Sequence, residues 1–430
     1  MVGSLLPFRG RPLKERKSTM GYPDHRRLGR QLGIFTTDEL CGTGLPLWLP
    51  AGATVRAELE RFVVELERRH GYQHVYTPEL AKRELYEQSG HWTHFHNDMY
   101  PPMKVGTEQV VLRPMNCPHH ILVFRAERRW IRDLPWRVAE LGTMFRNERS
   151  GVVGGLSRVR QMTLNDGHVF CSPDQLGAEI GSIIAMVEEA YRTLAIPAPR
   201  YRLSLPDHQP KFLRDEELWR RSEAVLRTAL HNMDLPYDDA HGEAAFYGPK
   251  IDLQVRDPRG REETLSTVQV DFHLPAQFGL AAYDRDRRVQ PVMVHRSIVS
   301  TMERVVAHLL EVHNGALPVW LAPCQVRILP VIDGAVAHAL EVRARCRGTG
   351  VRADVDDRDS TLGARIRDAQ RDRIPYVAVV GEREVNDATV AVRLRDGRQL
   401  HSMRLERFVA IVASTAQNRD RHLLPDDAFR

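Results

Sequence analysis

The 430-residue chain is 42% hydrophobic and 27% charged, which describes an ordinary soluble globular protein with room for two or three domains, each with a full core. Its net charge of +5 and sequence pI near 9.0 are mildly basic, which suits a nucleic-acid partner and equally a plain surface composition. The five cysteines (Cys41, Cys117, Cys171, Cys324, Cys346) are scattered, odd in number and lack C-x-x-C spacing, which argues against a disulfide framework and for a reducing compartment. No run approaches the ~18 apolar residues of a membrane span. The Leu5-Leu6 patch is too short for a signal peptide, so a cytoplasmic location is expected.

Residues 1–20 read as a loose basic tail. From Asp24, DHRRLGRQLGIF reads as a short amphipathic helix, followed by a Gly/Pro-rich connector from Cys41 to Ala53. Val55, Leu59, Val63 and Leu66 give Thr54 to His70 a helical period, with Gly71 as its stop. GYQHVYTPEL reads as a strand broken by Pro78. The histidines of HWTHFHND (His91, His94, His96) invite a metal reading, but three histidines in a polar loop read better as solvated surface. In EQVVLRPMNCPHHILVF a β-rich run ends at Pro114 and Pro118, which flank Cys117, and an apolar helical segment follows. That cysteine is either a small buried hydrophobe or a sulfur held in a fixed direction.

The stretch from Arg137 to Cys171 reads as strand, polar loop, strand, with Gly151, Gly154 and Gly155 in the loop. Alternation in the returning strand puts Arg158, Arg160, Met162, Leu164, Asp166, His168 and Phe170 on one face. Such a face is either a wet sheet surface that holds an anionic ligand or a solvated strand edge. Downstream, Pro173 to Leu194 reads as a helix, YRLSLPD as a strand, and KFLRDEELWRRSEAVLRTALHNM as a second amphipathic helix. Tyr247 and Lys250 flank the Gly248-Pro249 turn before the strand KIDLQV. Gln269 and Asp271 share one face of the next strand, with Val268, Val270 and Phe272 on the other. His295 ends a strand, and Arg304 falls about two turns into the following helix. A boundary is expected at Leu317-Pro318. Beyond it QVRILPV, GVRADVDD, YVAVVG and ATVAVRLRD read as strands, and Val336 to Arg345, Leu362 to Arg373 and Met403 to Ser414 as helices. That pattern makes an α/β module with a mixed sheet.

No P-loop and no strand-linked G-x-G-x-x-G is present, so a nucleotide would have to be held by side-chain cations on a sheet; Arg146, Arg158 and Arg304 are candidates. From Asp24 to about Ala413 the segments DHRRLG, GTGLPLWLP, SGHW, RPMNCPHH, RNE, RVR, DGHVFC, FYGPKID, TVQVDF and VHRSIVSTMER resemble the threonyl-tRNA synthetases, class II aminoacyl-tRNA synthetases. The resemblance implies an α+β fold: an antiparallel catalytic sheet flanked by helices over residues 21–316, an anticodon-binding-type α/β domain over 317–416, and a polar tail over 417–430. It further implies ATP-dependent activation of L-threonine to threonyl-adenylate and transfer to tRNA-Thr by a homodimer.

Residue by residue, the resemblance gives Arg146, Arg304 and Lys250 catalytic roles, and Arg146, Glu148, Arg158, Met162 and Arg304 contacts to ATP and its Mg²⁺. Asp166, Tyr247 and Gln269 would face threonine, Cys117, His168 and His295 would hold one Zn²⁺, and Glu384 and Arg393 would touch tRNA. The chain departs from the pattern at Met162 (usually Phe), Leu164 (usually Gln), Gly154 (usually His), and Arg358-Asp359-Ser360-Thr361, where R-N-E-K is common. Because the resemblance starts at Asp24, editing domains ahead of the catalytic domain are expected to be absent, with a separate editing protein as a possible partner. The alternatives are a paralogue that delivers an activated amino acid to a carrier or biosynthetic partner, and a non-catalytic tRNA-binding paralogue.

Overall fold

The computed structural model describes residues 21–209, 212–285 and 287–424; the expected tail over residues 1–20 lies outside the described residues. Helix α1 (His25–Gln31) begins where the Asp24 side chain accepts the Arg26 N–H. Helix α2 (Pro50–Arg69) starts on a proline, whose missing N–H costs nothing at a first helical position, and buries Val55, Leu59, Phe62, Val63 and Leu66. It stops before Gly71, whose φ of +79° favours glycine.

The strand expected across GYQHVYTPEL shrinks to β1 (Gln73–His74). Its continuation is drawn out of the sheet at Thr77 and Pro78, whose carbonyls accept from the Arg113 guanidinium instead of a neighbouring strand. The polar loop expected around His91 is a short helix, His91–Phe95. Next in order come α3 (Cys117–Arg125), β2 (Trp136–Phe145), β3 (Gln161–Cys171), α4 (Leu176–Thr193) and β4 (Arg200–Leu205). They are followed by α5 (Glu216–Asn232), β5 (Tyr237–His241), β6 (Lys250–Arg256), β7 (Glu262–Asp271), β8 (Val292–Ser297) and α6 (Met302–Val312).

The eight strands form one sheet in the order β5-β4-β6-β7-β8-β3-β2-β1. Pairing is antiparallel throughout its middle and parallel only at the two ends, β4 with β5 and β1 with β2. One face packs on α2, α4, α5 and α6 through Val169, Leu203, Ile251, Val268, Val270 and Val294, so that face is the main core. Alternation then turns Asp166, His168, Gln269 and His295 to the opposite face, where the site lies.

On the core side of β8, Arg296 is fully buried, 2.7 Å from Glu67 of α2 and stacked over Tyr72 with its guanidinium carbon 4.2 Å from the ring centre. Its register partner on β3 is Gly167, and a Cβ there would collide with the guanidinium. The glycine between Asp166 and His168 therefore makes room for a cation behind the sheet. Replacing Arg296 with methionine strands Glu67 in the core and should cost about 3–5 kcal/mol of unfolding free energy, read from urea denaturation. A loss below about 1 kcal/mol would show that His74 and Asn165, the other partners of Glu67, suffice to hold it.

The C-terminal module comprises β9 (Val326–Pro330), α7 (Val336–Gly348), β10 (Ala353–Val355), α8 (Leu362–Arg371), β11 (Tyr376–Val380), α9 (Glu382–Asp387), β12 (Thr389–Leu394), β13 (Gln399–Arg404) and α10 (Leu405–Gln417). Its mixed sheet runs β10-β9-β11-β12-β13. Two differences from expectation occur here. Gln399–Arg404 pairs with β12, so the helix expected from Met403 starts at Leu405. The tail expected to be polar after Ala416 docks through Leu423 and Leu424, both buried, with the Leu423 carbonyl accepting the Tyr376 hydroxyl. Arg352 ties the module to the first unit by its ion pair with Glu58 at 2.7 Å. Among the described residues no helix is long and apolar enough to cross a membrane.

Candidate functional site

Strand register builds the site. His168 on β3 lies opposite His295 on β8, and His295 opposite Gln269 on β7, so three neighbouring strands line up three polar side chains in one row. Cys117, the first residue of α3, comes over this row. One ligand atom from each of Cys117, His168 and His295 falls within 4.8 Å of the other two, and all three residues are fully buried.

In each histidine one ring nitrogen is engaged and the other is not. His295 Nε2 is 2.8 Å from Asp271 Oδ2, and His168 Nδ1 is 2.7 Å from His120 Nδ1. His295 Nδ1 and His168 Nε2 are buried without a hydrogen-bond partner. Burial, reinforced by neighbouring imidazoles, holds both rings well below the usual histidine range, so they stay neutral and keep a lone pair to offer. Burial pushes the Cys117 thiol up, an effect that a cation placed among these atoms would reverse. Two neutral imidazoles and one sulfur fit, by their chemistry, the three protein donors of an open Zn²⁺ site.

Around this cluster, Asp166 is fully buried with Oδ1 3.9 Å from His168 Nε2. The Tyr247 hydroxyl donates to Gln269 Oε1 at 2.6 Å, and its ring centre is 5.3 Å from that of His295. Lys250 is the register partner of Gln269 but is fully buried, with Nζ 2.9 Å from Asp252 Oδ2. Burial lowers its ammonium below the usual range against the pull of Asp252. The lysine read beside the Gly248-Pro249 turn is therefore buried on the site face of the sheet.

The second pole is cationic. Strand β3 begins only at Gln161, so Arg158 and Arg160, expected on the strand, belong to the loop before it. Arg158 pairs with Glu148 at 2.8 Å, and Arg160 donates to the Glu148 carbonyl at 2.9 Å. Arg304, expected two turns into its helix, lies in the first turn of α6, where the Thr301 hydroxyl caps its N–H at 3.1 Å and its Nε reaches the Ser157 carbonyl at 3.4 Å. Burial pulls the Arg146 guanidinium down to about 10; Glu148 and Asp98 oppose that, while Arg304 and Arg158 add to it. Three guanidiniums thus converge where one anion would relieve their repulsion. Met162 is buried beside Met144, Val159 and Leu164. The loop is anchored from behind: His25 Nε2 accepts the Leu156 N–H at 3.2 Å, while its Nδ1 meets Glu311 at 2.8 Å.

The face read from sequence as wet is instead fully buried at Asp166 and His168. His91, read as solvated, is fully buried with Nε2 3.5 Å from Cys117 Sγ and Nδ1 2.7 Å from Ser89 Oγ; His94 instead lies exposed, stacked on Phe246. His120 and Glu140 also escaped the sequence reading. The signal was present: His120 follows Cys117 by three residues on a helix, and Glu140 shares the β2 face with Val138, the register partner of His168. In the C-terminal module Glu384 caps its own helix by accepting the Gly381 N–H at 2.9 Å, and Arg393 sits on β12 opposite Gln399. Neither is near the row.

Residues 103–313 match the tRNA synthetase class II core domain (G, H, P, S and T), and residues 325–415 match the anticodon binding domain. The chain is 45% identical over 411 residues to the threonine–tRNA ligase of Oceanobacillus iheyensis, covering 95% of this chain and 63% of that protein. It is 48% identical over 398 residues to that of Halalkalibacterium halodurans, covering 92% and 62%. It therefore spans a little under two thirds of the length of these curated relatives. A crystal structure described as the RNA binding domain of threonyl-tRNA synthetase from Cryptosporidium parvum Iowa II superposes with a TM-score of 0.86 at 33% identity, covering 91% of this chain and 98% of that one. A class II core and an anticodon-binding module joined in this order, with relatives of one kind along nearly the whole chain, place the protein in the threonyl-tRNA synthetase family.

Proposed function

We propose that this chain activates L-threonine with ATP and passes the threonyl group to tRNA-Thr. The observation that carries the reading is that one fold holds both the Cys117–His168–His295 cluster and a group of guanidiniums that feel one another's charge, Arg146 just past β2, Arg158 in the loop before β3 and Arg304 in the first turn of α6. The threonine carboxylate attacks the α-phosphorus, the bond to the leaving pyrophosphate breaks, and threonyl-adenylate forms. Arg146 and Arg304 hold and neutralise the phosphate oxygens, with Mg²⁺ accompanying the ATP, and Glu148 keeps Arg158 aimed through their 2.8 Å ion pair. Adenine would lie against Met162, whose sulfur gives a softer contact than an aromatic ring.

Cys117, His168 and His295 would hold Zn²⁺, which supplies a Lewis-acid point for the threonine amine and hydroxyl. Asp166 would accept the hydroxyl proton, and Tyr247 and Gln269 would face the same substrate; the 3.9 Å approach of Asp166 to His168 and the Tyr247–Gln269 hydrogen bond support this. Glu384 and Arg393 would face the tRNA from the C-terminal module. A homodimer belongs to this reading: Tyr76 is 95% exposed just beyond β1, the last strand of the sheet, where a second copy would cover it.

The test is threonine-dependent pyrophosphate exchange run beside charging of tRNA-Thr with labelled threonine on one zinc-loaded preparation. Both activities are expected. Exchange without charging would transfer the reading to another acyl acceptor, and neither activity would leave the non-catalytic paralogue.

A further inference from the structure

Behind His168 runs a buried chain of hydrogen-bonding groups with a single direction. Glu140 on β2 starts it. Its Oε1 accepts the Thr77 N–H at 3.2 Å and Arg113 Nη2 at 3.1 Å, and its Oε2 accepts the Thr77 hydroxyl at 2.7 Å. His120 Nε2 lies 3.2 Å from that same Oε2. His120 Nδ1 then meets His168 Nδ1 at 2.7 Å, and His168 Nε2 faces the cluster with Cys117 and His295. None of Glu140, His120 and His168 is more than 3% exposed.

Each proton follows from the one before. Burial raises the Glu140 carboxyl, but its bonds to His120 and Thr77 and the charge of Arg113 win, and it is held at about 2. Glu140 is therefore ionised and accepts only. A neutral His120 donates to it from Nε2, which leaves a lone pair on Nδ1. Two nitrogens at hydrogen-bond distance share one hydrogen, so His168 carries its proton on Nδ1. His168 Nε2 is then a bare lone pair aimed into the cluster. On the other side of the cluster Asp271 Oδ2 lies 2.8 Å from His295 Nε2, with His295 Nδ1 left open.

We propose that His120 and Glu140 are positioning residues that fix the tautomer and ring orientation of His168, and thereby set how tightly the cluster binds its cation. The proposal rests on the metal reading of Cys117, His168 and His295 given above. It extends that reading inward, to two residues that touch neither metal nor substrate. A metal-binding imidazole is a good ligand only while its other nitrogen is protonated and held, which is the condition that this chain of groups imposes.

The polarity of the chain supplies its test. In Glu140→Gln the amide oxygen is retained at the Oε1 position, because the Thr77 N–H and Arg113 both require an acceptor there. The NH₂ group then faces His120 Nε2 and forces the His120 proton onto Nδ1, where it opposes the His168 proton. His120→Leu removes the link altogether. His120→Gln preserves the direction, because its NH₂ can donate to Glu140 while its oxygen accepts from His168.

Full-length apoprotein is titrated with Zn²⁺ against a chromophoric chelator, and the same variants loaded with Co²⁺ are read by visible absorption. E140Q and H120L are expected to lose about 10–100-fold in Zn²⁺ affinity with an altered Co²⁺ spectrum, and H120Q to remain within about threefold of the parent. A merely structural role would lower the urea midpoint of E140Q and leave its Zn²⁺ affinity at the parent value, which would overturn the proposal alone. Parent protein that takes up no Zn²⁺ would overturn the metal reading, and the proposal with it.

Discussion

Alanine in place of Arg146 is expected to lower threonine-dependent pyrophosphate exchange by about 10²–10³-fold, the loss typical when one preorganised donor to a developing charge is removed. Arg146 is only 6% exposed, and burial together with Arg304 and Arg158 pulls its guanidinium down to about 10, so at neutral pH it is still charged but held there at a cost. An anion among the three guanidiniums relieves that cost, and it does so most where phosphate charge is growing. The loss should therefore fall on kcat more than on the KM for ATP. Lysine at the same position keeps the charge without the planar fork and should recover only part of the rate. Exchange within tenfold of the parent in a folded alanine variant would remove Arg146 from the reacting centre.

The second large effect concerns selectivity. Cys117→Ala deletes the only sulfur of the ligand cluster, and the two imidazoles that remain lack the third donor of an open zinc site. Bound metal should fall to background, and threonine-dependent exchange with it. What residual exchange survives should have lost its preference for threonine over valine. A site that engages a substrate hydroxyl rejects the analogue lacking it by about 10⁴–10⁵, whereas an apolar pocket separates such isosteres by only about 10². Parallel exchange assays with threonine, valine and serine read this directly. Serine should be a poor discriminator throughout, because one missing methyl is worth about 1–3 kcal/mol. An alanine variant that still rejected valine as the parent does would place the selectivity elsewhere, with Tyr247 and Gln269 as the next residues to test.

How much of this was legible in the sequence follows from the range of each interaction. Alternation along β3 predicts that Asp166 and His168 share a face, because side-chain period is a property of the strand alone. The same holds for Gln269 and Asp271 on β7. That His168 meets His295 depends on the register between two strands far apart in the chain, and no local pattern writes it. The resemblance to known synthetases supplied it instead. The His91 reading failed because its burial comes from packing against Cys117 and Phe246, while its own neighbourhood is polar. The burial of Lys250 was not legible either: Asp252, two residues on, makes burial of an ammonium tolerable. Strand β13 escaped because it is an edge strand, mostly exposed, with no apolar alternation to announce it.

One consequence follows from Arg296 and Gly167. Strands β3 and β8 are read from two sides: the front presents His168 and His295, and the back clamps a guanidinium between Gly167, Glu67 and Tyr72. A change of amino-acid preference engineered here cannot travel as a single substitution on the front. Any backbone shift that re-aims a donor also presses on a cation with nowhere to go, whose counter-ion sits on α2. Transplanting the specificity of a sister enzyme would mean moving both strands and the facing turn of α2 together, as one cassette.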